Sequence, residues 1–183
     1  VDGNFVWQDK GVAVCTKSGD QVLTDDGISS VGYGKIVNTG LVPDGAGGVI
    51  AFWYHDNTGS DDWDIYAQRI DSTGTVQWTA GDGVTDGYAI VTMTGSDRNM
   101  RADSDGNGGA YLVWENATAG KTYALRIGSD GTVDGNWGAG TDADPGVDVF
   151  PGCAISIHPE MTRDHGDSLV VTALDGNKVT DTR

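Results

Sequence analysis

The chain has 183 residues, with 27 acidic side chains against 11 Lys and Arg and a net charge of −16. That length suits one domain with a real core. The charge argues against nucleic acid and anionic membranes as partners, because phosphate binding needs clustered Lys and Arg, and no run approaches the roughly 20 apolar residues of a membrane helix.

The acidity is unusual in kind: 25 of the acidic residues are Asp, and only Glu115 and Glu160 are Glu. Asp bonds its own backbone in turns, whereas Glu favours helices. With 29 Gly besides, the composition predicts short strands joined by tight turns, and the apolar residues alternate or run in short blocks rather than at helical spacing. No secretory leader is visible in the sequence.

In chain order, Gly3-Asn4-Phe5-Val6-Trp7 comes first and matches the later Gly74-Thr75-Val76-Gln77-Trp78. Predicted strands follow at 11–15, 35–38, 48–54, 64–70 and 75–78. A second set is predicted at 89–93, 100–103, 110–114, 121–127 and at Val133. A third is predicted at 147–150, 154–157, 168–173 and 178–180. The sets are copies of one unit. Asp44-Gly45-Ala46-Gly47-Gly48 leads to Trp53, and Asp105-Gly106-Asn107-Gly108-Gly109 leads to Trp114, an offset of 61 residues. Tyr66-Ala67-Gln68-Arg69-Ile70 returns as Tyr123-Ala124-Leu125-Arg126-Ile127, an offset of 57. A third copy is expected to start at Gly166, placed opposite Gly47. A period near 60 means one supersecondary unit used repeatedly.

The unit limits read from the sequence are 1–10 for the tail of a preceding unit, 11–78, 79–137 and 138–183. About four antiparallel strands per unit fits a propeller blade. The fold class is therefore all-β, with roughly three blade-like sheets. Propellers usually need 4–8 blades to close a ring. Three blades are too few to close a ring alone, which leaves three expectations: a fragment of a longer array, a ring completed by association with copies of itself or a partner, or an open stack with exposed edge strands. The Trp residues Trp7, Trp78 and Trp137 recur with the unit and are expected in the core.

The residues Gly11-Val12-Ala13-Val14-Cys15, Gly19-Asp20-Gln21, Asp44 to Gly48 with Trp53, and Asp64-Ile65-Tyr66-Ala67-Gln68-Arg69-Ile70-Asp71 with Gly74 resemble the β-propeller-type repeat of large secreted and cell-surface bacterial proteins. The resemblance implies a secreted or surface location, a scaffold role and no catalytic residues. The stretch Asp71 to Trp78 is similar to the Asp-box turn of sialidase propellers, but its Asp-to-Gly spacing is three rather than two. That turn is structural and supplies no sialidase chemistry.

Candidate sites are few. Asp103, Asp105 and Asn107 alternate as calcium ligands do, with glycines between them. The later Glu of a helix–loop–helix calcium site is missing, since Trp114 stands there, and a hairpin turn is the alternative reading. Asp56, Asp61, Asp62 and Asp64 surround Trp63, which breaks the repeat pattern and is a candidate to stack on a sugar or to grip a protein partner; a solvated loop is the alternative. The histidines His55, His158 and His165 have no metal-binding spacing. No Gly-x-Ser-x-Gly elbow is present, and pairs of carboxylates are uninformative against so many aspartates. A glycosidase or lyase is therefore the weakest function class. Asn116-Ala117-Thr118 fits a glycosylation acceptor. Cys15 and Cys153 are either two thiols or a disulfide whose long loop would contribute roughly 4–5 kcal/mol.

Overall fold

Val49 to Asp56 is apolar on both faces, which is the pattern of a strand covered on both sides. In the computed structural model it is the second strand of a four-position antiparallel sheet. The structure describes residues 12, 15, 20–22, 40–56, 62–79, 86–164 and 168–175. The strands are β1 (Asp20–Val22), β2 (Leu41–Pro43), β3 (Val49–Asp56), β4 (Trp63–Ile70), β5 (Tyr88–Val91), β6 (Asp97–Ser104), β7 (Ala110–Asn116), β8 (Lys121–Ile127), β9 (Val147–Asp148), β10 (Ser156–Arg163) and β11 (Leu169–Asp175). No α-helix occurs among the described residues. A 3-10 turn spans Gly135–Trp137.

The strands form three antiparallel sheets, open rather than closed into a barrel. In the first, β1 and β2 share one edge of β3, which is followed by β4 and β5. The second runs β6-β7-β8-β9, and the third is the hairpin β10-β11. The expected strands at 64–70, 89–93, 110–114 and 121–127 are present within a residue or two. The segment 75–78 is not a strand. It makes one bridge, Ile70 to Val76, matched by Ile127 to Val133. The strands expected at 11–15, 35–38 and 178–180 lie outside the described residues, apart from Val12 and Cys15.

Two sequence readings need correction. The limits 78/79 and 137/138 fall inside sheets, because β5 and β9 were assigned to the following units and instead close the preceding ones. Gly87 and Gly146 explain why. Each precedes its closing strand at positive φ, and a Cβ would stand 2.4 Å from Trp53 in one case and 3.0 Å from Trp114 in the other. The closing strand thus packs on the tryptophan of its own sheet.

The third copy is also one residue out of the predicted register. The Asp44 N–H donates to the Gly48 carbonyl (3.2 Å), Asp105 N–H to Gly109 (3.1 Å) and Asp164 N–H to Ser168 (3.2 Å). Asp164 therefore stands opposite Asp44, where the predicted register puts Arg163.

With that register the copies agree strand by strand. β6 pairs with β7 from Asp97↔Asn116 to Ser104↔Ala110, and β10 with β11 from Ser156↔Asp175 to Arg163↔Leu169. Each first strand is bulged at the same place, between Arg98 and Arg101 and between Ile157 and Glu160. Asn99 and His158 sit in these bulges, and they are the non-glycine residues at positive φ among those described, both at 52°. In the first sheet that same place is the break between β1 and β2.

The largest core lies between sheets one and two. From β3 and β4 come Ile50, Phe52, Tyr54, Trp63, Ile65 and Ala67, and from β7 and β8 Ala110, Leu112, Trp114, Tyr123, Leu125 and Ile127. Each set shares one face through the strand register. We call the side of each sheet that points toward higher residue numbers its forward face. Ile50, Phe52 and Tyr54 form it in β3, and Tyr111, Val113 and Glu115 in β7.

Candidate functional site

The residues that repeat most faithfully form one device, built twice. Asp44 Oδ1 accepts the N–H groups of Ala46 (2.8 Å) and Gly48 (2.7 Å), and its Oδ2 accepts Arg69 Nε (3.0 Å) and Nη2 (3.0 Å). Asp105 Oδ1 accepts the N–H groups of Asn107 (2.7 Å) and Gly109 (2.9 Å), and its Oδ2 accepts Arg126 Nε (3.1 Å) and Nη2 (2.6 Å). Each carboxylate thus clamps its own turn and ties it to the third strand of its sheet. Burial works to raise the pKa of Asp105. The N–H of Asn107, the Arg126 guanidinium and the N–H of Gly109 outweigh it and hold the carboxyl below the ordinary Asp value. Asp44 is lowered by the same balance, with burial opposed by Ala46, Gly48 and Arg69. Charge-assisted bonds of this kind are roughly twice as strong as neutral ones.

A second device joins neighbouring sheets. The bulge removes Met100 from the β6–β7 ladder, and its N–H donates to Tyr54 Oη of sheet one (2.7 Å). His158, in the bulge of β10, donates its N–H to Glu115 Oε2 of sheet two (3.0 Å). Tyr54 and Glu115 occupy the same forward position. Glu115 is buried and also accepts Arg98 Nε and Nη2 and Asn99 Nδ2. Further ties cross both joints. Arg69 Nη1 and Trp78 Nε1 donate to the Ser129 carbonyl (3.1 and 3.0 Å), Thr122 N–H to Ser156 Oγ (2.8 Å) and Arg163 N–H to Asp103 Oδ2 (3.2 Å). A shallow groove of about 340 Å³ follows the first joint between the two Asp turns, beside Arg69 and Ser129.

The sequence candidates fall as follows. Trp63 is not in a polar loop. It opens β4, pairs with Asp56 and is 6% exposed in the core. The strand begins one residue before Asp64, and that residue turns the indole inward. Asp62 Oδ1 accepts the Gly95 N–H (2.7 Å), Asp64 lies within β4, and Asp61 lies outside the described residues. Of the proposed calcium ligands, Asp105 is the clamp, Asp103 accepts the N–H groups of Ser104 and Arg163, and Asn107 belongs to the clamped turn. Among the described residues, no three His, Cys, Asp or Glu side chains gather as a metal site would need. No disulfide joins Cys15 to Cys153.

The Asp71 turn is built as its sequence suggests. Asp71 Oδ1 accepts the N–H groups of Thr73 and Thr75 and the Thr73 hydroxyl. In the second unit the same turn is capped by Asp130, at the position of Thr73.

One titratable group was missed in the sequence. Asp97 opens β6, is fully buried, and has Oδ2 without a hydrogen-bond partner, while Oδ1 accepts Asn116 Nδ2 (2.9 Å). Burial, and then the charge of Asp64, push its pKa from 3.8 up to about 8 against the opposing Asn116 bond. A raised carboxyl binds its proton more tightly in the folded state. Its stabilising contribution is full below the unfolded value of 3.8 and is lost as pH rises through about 8. Asp97→Asn, neutral at every pH, should therefore be more stable than the parent at neutral pH. The difference should grow by about 1 kcal/mol per pH unit across that window. Urea melts of both proteins between pH 4 and 9 measure it, and parallel curves would refute the assignment.

The chain matches no family model, no curated protein and no solved structure.

Proposed function

We propose that this chain is a non-catalytic structural module, a stack of propeller-type sheets that serves as a building unit of a larger assembly. A secreted or cell-surface setting is part of the proposal and rests on the repeat resemblance. The observation that carries it is a tie of similar kind at both joints. A forward-facing acceptor takes an N–H from the bulge of the next sheet, Tyr54 from Met100 and Glu115 from His158, which stands one bulge position earlier. The repeated charged residues Asp44, Arg69, Asp105 and Arg126 are engaged in holding this architecture. A sugar- or partner-gripping role for Trp63 loses its ground with the side chain in the core. A calcium requirement remains a separable part of the reading.

Light scattering from sub-micromolar to millimolar protein, with and without millimolar calcium, tests the proposal. A building unit gives a mass at least twice the 19.1 kDa of one chain. Self-repulsion at net charge −16 should make association stronger as salt rises. A single-chain mass under every condition counts against it.

A further inference from the structure

Most asparagines within the described residues have their side-chain amide held. Asn99 Nδ2 donates to Glu115 Oε2 (2.8 Å), Asn116 Nδ2 to Asp97 Oδ1 (2.9 Å) and Asn136 Nδ2 to Asp134 Oδ1 (2.9 Å). Asn107 differs. It is exposed in the second Asp turn, and its side chain makes no hydrogen bond to any described residue, although its main-chain N–H is held by Asp105.

Asn107 is also the one asparagine of the sequence that is followed by glycine. The Gly108 N–H, unlike those of Asn107 and Gly109, donates to no described acceptor. Gly108 has no side chain to screen that nitrogen, and its φ is +87°, where glycine sits without strain. An unheld side-chain amide is thus followed directly by an unheld and unscreened backbone nitrogen. Asparagine is among the thermolabile residues, and this is the arrangement in which its amide is lost.

We propose that Asn107 is a self-modification site of the folded protein, where the Gly108 nitrogen attacks the side-chain amide and converts residue 107 to aspartate and isoaspartate. Base removes the Gly108 N–H proton, and the nitrogen forms a bond to Asn107 Cγ. The Cγ–Nδ2 bond breaks, and Nδ2 leaves as ammonia with a proton returned by solvent. Water then opens the five-membered cyclic imide at either carbonyl. Opening at Cγ gives aspartate. Opening at the main-chain carbonyl gives isoaspartate, whose main chain runs through Cβ. One water is taken up and one ammonia released, with no oxidant or reductant.

The two products act differently on the clamp. Asp105 Oδ1 holds the N–H groups of residue 107 and Gly109 together, at 2.7 and 2.9 Å. Aspartate keeps that spacing. Isoaspartate places one more backbone carbon between the two donors, so one oxygen no longer serves both. Either product adds a negative charge to the groove beside Asp44 and Arg69. The first unit is exempt, because Ala46 stands at the place of Asn107 and donates the matching N–H. Of two clamps built alike, the second can age in this way and the first cannot.

The experiment ages the whole folded chain at 37 °C between pH 7 and 9 and maps its peptides by mass. The peptide holding Asn107 should be the first to show the amide-to-acid mass gain, at a rate that rises with pH, and isoaspartate should be found at that position. Hydroxylamine, which cleaves cyclic imides, should cut the ageing chain between residues 107 and 108. Asn107→Ala, the first unit's own residue, should remove both signals and hold its urea midpoint through the incubation. The midpoint of the parent should fall as isoaspartate accumulates. A folded chain that keeps Asn107 intact while the urea-unfolded chain converts it overturns the proposal, as does a faster change at any other asparagine. Isoaspartate at position 107 with an unchanged urea midpoint overturns the effect assigned to the clamp.

Discussion

Gly109→Ala should destabilise the protein by about 3 kcal/mol or more, the upper end of what overpacking costs. A Cβ there would stand 2.1 Å from the Ile127 carbonyl oxygen, 2.8 Å from Asp105 Oδ2 and 3.1 Å from the Gly128 carbonyl carbon. The two backbone atoms belong to β8 and the residue just after it, so the clash cannot be relieved by a rotamer change. It would push apart the inner pair of the second sheet and the Asp105 clamp together. Gly48→Ala should behave alike, with its Cβ 2.3 Å from the Ile70 carbonyl oxygen and 2.7 Å from Asp44 Oδ2. Gly45, in the same turn, is the control. Its φ is +76°, but no atom lies within 4 Å of the added Cβ. Alanine there meets backbone strain alone, about 1 kcal/mol. Urea midpoints at constant m compare the three. Gly109, unlike Gly45, is not at positive φ, so a loss there no larger than at Gly45 would mean that close approach does not set the motif.

Asp105→Ala should cost about 3–5 kcal/mol, because it leaves a half-buried Arg126 uncompensated at the clamp and strips two N–H groups of their acceptor. Arg126 retains only Asp134, at 3.3 Å. The pH dependence gives a second signature. The carboxyl of Asp105 lies below its ordinary value in the folded state. Its contribution is therefore present above the unfolded pKa of about 4 and is lost as pH falls through the lower folded value. The gap between parent and Asp105→Ala should be level from about pH 5 to pH 8 and shrink below about pH 4. Denaturant melts across that range check it. A gap that stays level into strong acid would mean the carboxylate is not the stabilising form.

How much of this was legible in the sequence varies from element to element. The four-stranded units and the inner strands Val49–Asp56 and Ala110–Asn116 were legible because period and composition are local signals. The Asp-Gly-x-Gly-Gly turns were legible as turns. Their clamp was not, since Arg69 and Arg126 stand 25 and 21 residues from their carboxylates. A repeat aligned with both residues kept in step was the signal that could have found it.

Units were cut too early because the turn ending at Trp78 looks like a full stop. The strand that closes the sheet comes about ten residues later, after a glycine whose role is to let a tryptophan approach. Trp63 was misplaced for a related reason: its polar neighbours dominate a local reading, while its burial is decided by pairing with Asp56 across the β3–β4 hairpin. Asp97 could not be singled out among so many aspartates, because what marks it is burial. The joints were beyond reach altogether, as Tyr54 and Glu115 share a position and a role but no chemistry beyond an acceptor oxygen.

The account rests on those joints, and amide hydrogen exchange reads them directly. The Met100 and His158 N–H groups lie in bulges, outside the paired register of their strands, and each donates across a sheet-to-sheet contact. If the sheets stack as described, both should exchange as slowly as the inner strands β7 and β8, through global unfolding rather than local opening. Exchange of either at the rate of an exposed turn residue such as Gly45 would contradict the stacked arrangement.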